Sequence, residues 1–309
     1  MAVLLWRELQ QELPYLVNRY QVGQNMAISL IVGWLFLGAG SGTGQRDLRE
    51  VVGLFFYTTT LWTFTPLYAA IVRMRHRMQL AEVEMMKGMY HVGPFVVAVS
   101  VTDLLMHSIW PAITAMIMFM MARVGGDPGS FISLLLLVVL CALVYQSVGT
   151  LVSVIVPNAG TAMAISTALA QTTLVAGGFY RTMPESIKWM GHFSLTTYAF
   201  RGLLRATLSW KDTFSCHPRI ANANAGRGSC FIEESGIIDD LDRRGIVVVD
   251  SPEDPSHLED MLILFLVVLT SRVLVYCVLK WKLKLSHTRW EDSRGSPLGD
   301  MAEPHGFRV

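Results

Sequence analysis

The chain has 309 residues, of which 52% are hydrophobic and 16% charged, and its mean hydropathy is +0.42. A soluble domain carries about 25% charged residues, so water is not its main solvent. A formal net charge of +1, with no large excess of either sign, gives no footing to a nucleic-acid or polyacidic partner.

A bilayer core about 30 Å thick takes roughly 20 apolar helical residues to cross, and several stretches reach that length. In residues 1 to 20, Leu5, Leu9, Leu13, Leu16 and Tyr20 recur at spacings of three and four with charges between them. This predicts an amphipathic helix on the membrane surface, assigned to residues 1–22, which Pro14 kinks or divides. The same stretch holds Arg7, Glu8, Glu12 and Arg19 and lacks the apolar core of a signal peptide. Targeting then falls to the first membrane helix.

The first predicted span covers about residues 25–37 and ends in the Gly-rich turn at 38–45. The second covers 48–72 and is stopped by Arg73, Arg75, His76 and Arg77. After a polar segment at 73–90, a third span runs from 93 to 121, interrupted by Pro94, Asp103, His107 and Pro111. A fourth covers 131–156. Pro157, Asn158 and Gly160 make a tight turn into a fifth at 161–179, and the sixth covers 261–279, closed by Lys280, Lys282 and Lys284. The expected fold is all-α and integral to the membrane, with six transmembrane helices occupying residues 23–285 and a disordered cytoplasmic tail at 286–309.

Lys and Arg favour short cytoplasmic loops. The 73–90 loop and the end of the sixth span are both basic and share one side, so that side and the N-terminus are read as cytoplasmic. The outer loop, residues 181–260, is expected to hold re-entrant or interfacial helices followed by a small folded part. Cys141 and Cys277 fall inside spans. Cys216 and Cys230 fall in the outer loop, where an oxidising compartment favours a bridge between them. Two free thiols or a bridge to another subunit are the alternatives.

The most specific stretch is Glu84-Met-Met-Lys87-Gly88-Met-Tyr90, just before the third span. By chemistry alone it is a short amphipathic linker. It resembles the Arg-Glu-x-x-x-Gly-x-Tyr segment of the G subfamily of ATP-binding cassette exporters, whose membrane domain is of the ABC-2 type. Gly33 with Leu35-Phe36, Leu54-Phe55-Phe56, Gly177-Gly178, the order Pro184, Trp189, Ser194, Tyr198, the paired outer-loop cysteines and the basic end of span six are similar to that family in order and spacing.

The resemblance implies that Glu84, Lys87, Gly88 and Tyr90 couple to an ATPase domain. It implies that paths of two subunits meet at spans two and five, which nominates Thr60, Thr63, Thr167, Gln171 and Leu174 for the substrate path. Phe179 and Tyr180 become an outer plug. There are departures. Arg77 stands where the family has a carboxylate, which puts coupling contacts there in doubt, and Met106 replaces a Pro after Asp103-Leu-Leu. The 309 residues contain no Gly-x-x-x-x-Gly-Lys-Ser/Thr phosphate loop and no Leu-Ser-Gly-Gly-Gln stretch. No cofactor is therefore expected in the chain, and ATP and Mg belong on a nucleotide-binding partner.

Ionisable groups inside a membrane are costly and become functional candidates. Asp103 and His107 lie four apart on span three and share a helix face. A proton relay or a substrate contact is one reading, and a buried polar pair is the other. The leading expectation is the transmembrane subunit of a dimeric, ATP-driven exporter that moves a lipophilic or amphipathic molecule outward. A truncated or non-transporting scaffold is the alternative. An intramembrane enzyme using Asp103, His107 and Ser108 is disfavoured, because no Gly-x-Ser-x-Gly elbow or His-Glu-x-x-His site is present.

Overall fold

A computed structural model describes residues 2–41, 45–176, 194–207 and 257–294. Eight α-helices and one short 3-10 turn, Ala39–Ser41, account for nearly all of them. The helices are α1 (Ala2–Leu16), α2 (Arg19–Leu35), α3 (Gln45–Met86), α4 (Val92–Ala122), α5 (Pro128–Ile155), α6 (Ala159–Ala176), α7 (Leu195–Thr207) and α8 (His257–Arg294). Among the described residues there is no strand.

Among the described residues three helices are long and apolar enough to cross a bilayer: Val92–Ala122, Pro128–Ile155 and the Leu258–Lys282 part of α8. The protein is thus a multi-pass membrane protein whose described part is helical. α2 has 17 residues, a rise of about 26 Å. The apolar part of α3 is diluted by Thr58, Thr59, Thr60 and Thr63. Each of these hydroxyls donates to the backbone carbonyl four residues earlier, at 2.8 Å. Returning the hydroxyl to its own helix lets threonine sit in an apolar setting without an orphaned donor.

α5 is the hub, packed against α3, α4, α7 and α8. Leu134, Leu137 and Val144 are fully buried, and burying such a side chain contributes about 1.5–3 kcal/mol. Gly149 sets the approach of α5 to α3. A Cβ there would lie 2.5 Å from the Leu67 carbonyl oxygen and 3.1 Å from Ala70 Cβ, so only glycine lets the two backbones touch. Nearby, Phe55 of α3 meets Phe119 of α4 edge to face, with centroids 5.7 Å apart. That geometry suits the ring quadrupoles.

The C-terminal end of α5 is capped by cations from its neighbours. Arg75 of α3 donates to the carbonyls of Ser153, at 3.2 Å, and Val156, while Lys282 of α8 reaches the Val154 carbonyl at 3.5 Å. Positive groups at a helix C-terminus satisfy its free carbonyls and oppose its dipole. The expected tight turn follows, with the Asn158 side chain accepting from the Gly160 amide at 2.9 Å.

Two expectations are corrected. Arg73, Arg75, His76 and Arg77 do not stop the second helix, because α3 continues unbroken to Met86. Charge ends a membrane helix only where it must reach water, and here Arg77 is buried against carboxylates from other helices. Pro14 does not divide the first helix either. The chain breaks at residues 17 and 18, where the Asn18 side chain accepts from the Tyr20 amide at 3.2 Å and opens α2. At the other end, α8 runs to Arg294, into the expected tail.

Candidate functional site

The Glu84 to Tyr90 stretch is the last turn of α3 and the bend that follows it. Gly88 has φ +74, a left-handed conformation that costs other residues about 1–2 kcal/mol. Its amide donates to the Met85 carbonyl at 3.0 Å and the Met89 amide donates to the Glu84 carbonyl at 3.2 Å. This paired closure is a Schellman motif. It folds the chain back so that the Tyr90 hydroxyl donates to the Glu84 carboxylate at 2.6 Å. The spacing Glu-x-x-x-Gly-x-Tyr therefore has a local cause. The tyrosine ring stacks on Phe95, with centroids 6.2 Å apart.

Arg7 of α1 completes the corner, donating to both Glu84 oxygens at 2.8 Å. Its guanidinium carbon lies 5.9 Å from the centre of the Tyr90 ring. Partial desolvation works against the Glu84 charge, but the hydrogen bonds from Tyr90 and Arg7 outweigh it and hold this carboxyl below its ordinary range. Burial, reinforced by the bond to Glu84, pushes the Tyr90 phenol up to about 12. Lys87 is exposed, as are Met86 and Met89. The corner is thus tied on its inner side and open on its outer side.

From this corner a line of charge runs inward. Arg7 approaches Glu8 at 3.6 Å, and Glu8 approaches Arg77 at 3.3 Å. Arg77 donates to Glu12 at 2.6 Å and to Asp103 at 2.9 Å, and Arg272 of α8 takes the other Asp103 oxygen at 2.9 Å. Arg73 lies 3.9 Å from Glu12. Within this cluster Glu8, Glu12 and Asp103 balance Arg73, Arg77 and Arg272. Buried charge is tolerated only when paired in this way.

Asp103 was expected to pair with His107. The two stand 3.7 Å apart, and His107 lies 3.6 Å from Glu12, while the aspartate's hydrogen bonds go to the two arginines. Arg77, read as a departure from the family pattern, is the centre of the network. The charged face of α1 turns inward, and Trp6, Leu13, Tyr15 and Tyr20 are exposed. Sequence reasoning missed Arg7, Glu8, Glu12 and Arg272 as partners. One signal was present: Glu8/Glu12 and Arg73/Arg77 are like-charge pairs four apart, which repel on one helix face unless opposite charge covers them.

The structure places the path candidates on adjacent helices. Tyr68 of α3 and Thr167 of α6 share a hydrogen bond of 2.9 Å. Thr63 and Leu174 are buried, Thr60 and Thr167 half-buried, and Gln171 exposed. Thr60 and Thr63 both bond their own backbone. Ser108 likewise donates to the Leu104 carbonyl. α4 passes Met106 without a break. Phe179, Tyr180, Cys216 and Cys230 lie outside the described residues. Cys141 is buried and Cys277 exposed, both with free thiols.

A second charge cluster sits at the opposite end of α8. Arg201 of α7 donates twice to the Asp260 carboxylate, through Nε at 2.9 Å and through Nη2, and Arg205 reaches the other oxygen at 3.3 Å. Asp260 is fully buried. Beside it, the Tyr145 hydroxyl bonds Thr173 at 3.0 Å and Thr196 at 2.6 Å, and Ser194 donates to the Thr173 carbonyl at 2.7 Å. These contacts join α5, α6 and the start of α7.

Apolar helices tied together by buried ion pairs, with one charged corner open to solvent, define a polytopic membrane domain. The pattern of the ABC-2 type transporter family matches residues 1–208, two thirds of the chain. The chain belongs to that family. It is similar to ABC transporter G family member 21 of Arabidopsis thaliana, 28% identical over 70% of this chain and 32% of the relative. Member 26 of the same organism is 22% identical over 87% of this chain and 37% of the relative. ABC transporter G family member 1 of Dictyostelium discoideum is 23% identical over 78% and 30%. The chain spans about a third of the length of these curated relatives.

Proposed function

We propose that this chain is the transmembrane portion of an ATP-driven exporter that carries a lipophilic or amphipathic molecule outward. In this reading α2, α3 and α6 cross the membrane together with α4, α5 and α8. That makes six spans, with α1 on the inner surface and α7 re-entrant from the outside. Two such units pair across α3 and α6, and ATP with Mg is bound by a nucleotide-binding domain outside these 309 residues. The low charge of the α3 and α6 faces favours a lipid, sterol or drug-like cargo over an ion or sugar.

The observation that carries the reading is the Glu84 corner. A rigid turn, pinned to α1 through Arg7 and leaving Lys87 and two methionines exposed, is a handle by which an attached domain can move the bundle. The test uses the complete transporter with its nucleotide-binding domains in proteoliposomes, with a fluorescent phospholipid analogue as cargo. Glu84→Gln removes the charged hydrogen bonds of the corner, and a partly exposed pair of this kind contributes about 1 kcal/mol or less, which slows a step by about fivefold at most. Glu84→Gln is therefore expected to reduce ATP-dependent export by up to that factor, and Lys87→Ala, which takes an exposed charge from the handle, to reduce it too, while the protein stays folded. Unchanged export in both variants would sink the coupling role. An intact complex that moves neither phospholipid nor dye with ATP would favour a scaffold.

A further inference from the structure

We infer that Arg201 and Asp260 are positioning residues that hold α7 in place through a buried charge lock added to its apolar contacts. The role assigned to α7 at the outer end of the path rests on the exporter reading above, but the lock does not.

α7 has 13 residues and is about 20 Å long, too short to cross a bilayer. Nine of its residues are buried, and Gly202 packs so closely that a Cβ would lie 2.8 Å from a methyl of Leu137. The helix is inserted into the bundle instead of lying on it. Arg201 and Arg205 are four apart and occupy one face, and both aim at a single carboxylate. Asp260 stands in the first turn of α8, where the helix dipole favours an anion.

Sequence separation makes the arrangement informative. The partners are 59 and 55 residues apart, so the lock closes the two ends of the segment between α7 and α8 onto each other. On the inner side of α7, Tyr145, Thr173 and Thr196 add hydroxyl contacts between neutral groups, which are weaker than bonds to charge. In the Arg201 to Asp260 pair two guanidinium nitrogens donate to one carboxylate oxygen, and this pair ties α7 to α8 through charge. Within the exporter reading, α7 roofs the outer end of α5 and α6, so its release should loosen that roof.

The test reads the position of α7 directly. Ala199 is 1% exposed, and Ala199→Cys adds one atom beyond Cβ. In the complete transporter, labelling at position 199 by a membrane-impermeant maleimide is followed by peptide mass spectrometry, which separates it from the other cysteines. Without other changes the site should react slowly. Asp260→Asn leaves two buried guanidiniums without their carboxylate, and the cost of breaking a buried pair predicts labelling faster by on the order of 100-fold. Asp260→Glu should restore protection, which a purely steric role would not produce. If Asp260→Asn does not fold, Arg205→Gln keeps the Arg201 to Asp260 pair and should raise labelling several-fold. A folded Asp260→Asn or Arg205→Gln variant whose position 199 stays protected overturns the inference. Increased labelling without ATP-dependent export in the parent protein would leave the lock standing and remove the exporter reading alone.

Discussion

The two buried charge clusters differ in design although both use arginines four residues apart on one helix. The cluster around Arg77 joins four helices, α1, α3, α4 and α8, and its three carboxylates balance three guanidiniums. The cluster around Asp260 joins α7 and α8, with two guanidiniums on one carboxylate. Balanced charge spread over many helices makes each element depend on all the others. A small lock with one hub depends on that hub. α8 carries both, with Asp260 and Arg272 about 18 Å apart along its axis.

The largest expected effect comes from Arg77, which touches Glu8, Glu12 and Asp103. Arg77→Met strips three buried carboxylates of their shared partner and should destabilise the protein by about 3–5 kcal/mol, read as loss of monodisperse protein and a lower Tm in detergent. If Arg77→Met is as stable as the parent protein, the cluster around Arg77 is not a cooperative network.

Arg272→Met should cost less, about 1.5–3 kcal/mol, because Asp103 keeps its bond to Arg77. The two arginines share Asp103, so the double variant should depart from additivity by more than about 0.5 kcal/mol. Strict additivity in a double-mutant thermal cycle would mean that the cluster is a set of separate pairs.

The smallest effect belongs to the exposed corner, where pH supplies the probe. Glu84 titrates below its ordinary value of 4.5 in the folded protein. Its contribution is therefore present above that value and is lost as pH falls through the lowered one. Tyr90 shows the opposite sign. Its folded value is raised from 10.0 to about 12, so its contribution is complete below 10.0 and lost as pH rises toward 12. Glu84→Gln should flatten the acid limb of a Tm against pH curve and change Tm little at neutral pH, since partly exposed pairs contribute about 1 kcal/mol or less. An unchanged acid limb would place the titrating group elsewhere.

Much of this protein was legible in the sequence because hydrophobic length is a local property. The spans at 93–121 and 261–279 fall inside α4 and α8, the span at 131–156 overruns the end of α5 by one residue, and the turn at residues 157–160 follows from Asn158 and Gly160. The resemblance carried by Glu84, Gly88 and Tyr90 led to the right family, since a Schellman glycine and a returning tyrosine must be written at fixed spacing.

What the local pattern misread were the charges. Arg73 and Arg77 read as the end of a helix, and Arg7, Glu8, Glu12 and Arg272 were not read as partners of charge on other helices. Whether a charged side chain ends a membrane helix or lies within the bundle depends on whether an opposite charge waits there. For Arg77 that charge comes from Glu12, 65 positions earlier, and from Asp103, 26 positions later. Composition and periodicity alone determined an all-helical membrane domain. Only tertiary structure decided which charges are buried, because pairing is a property of two helices and periodicity a property of one.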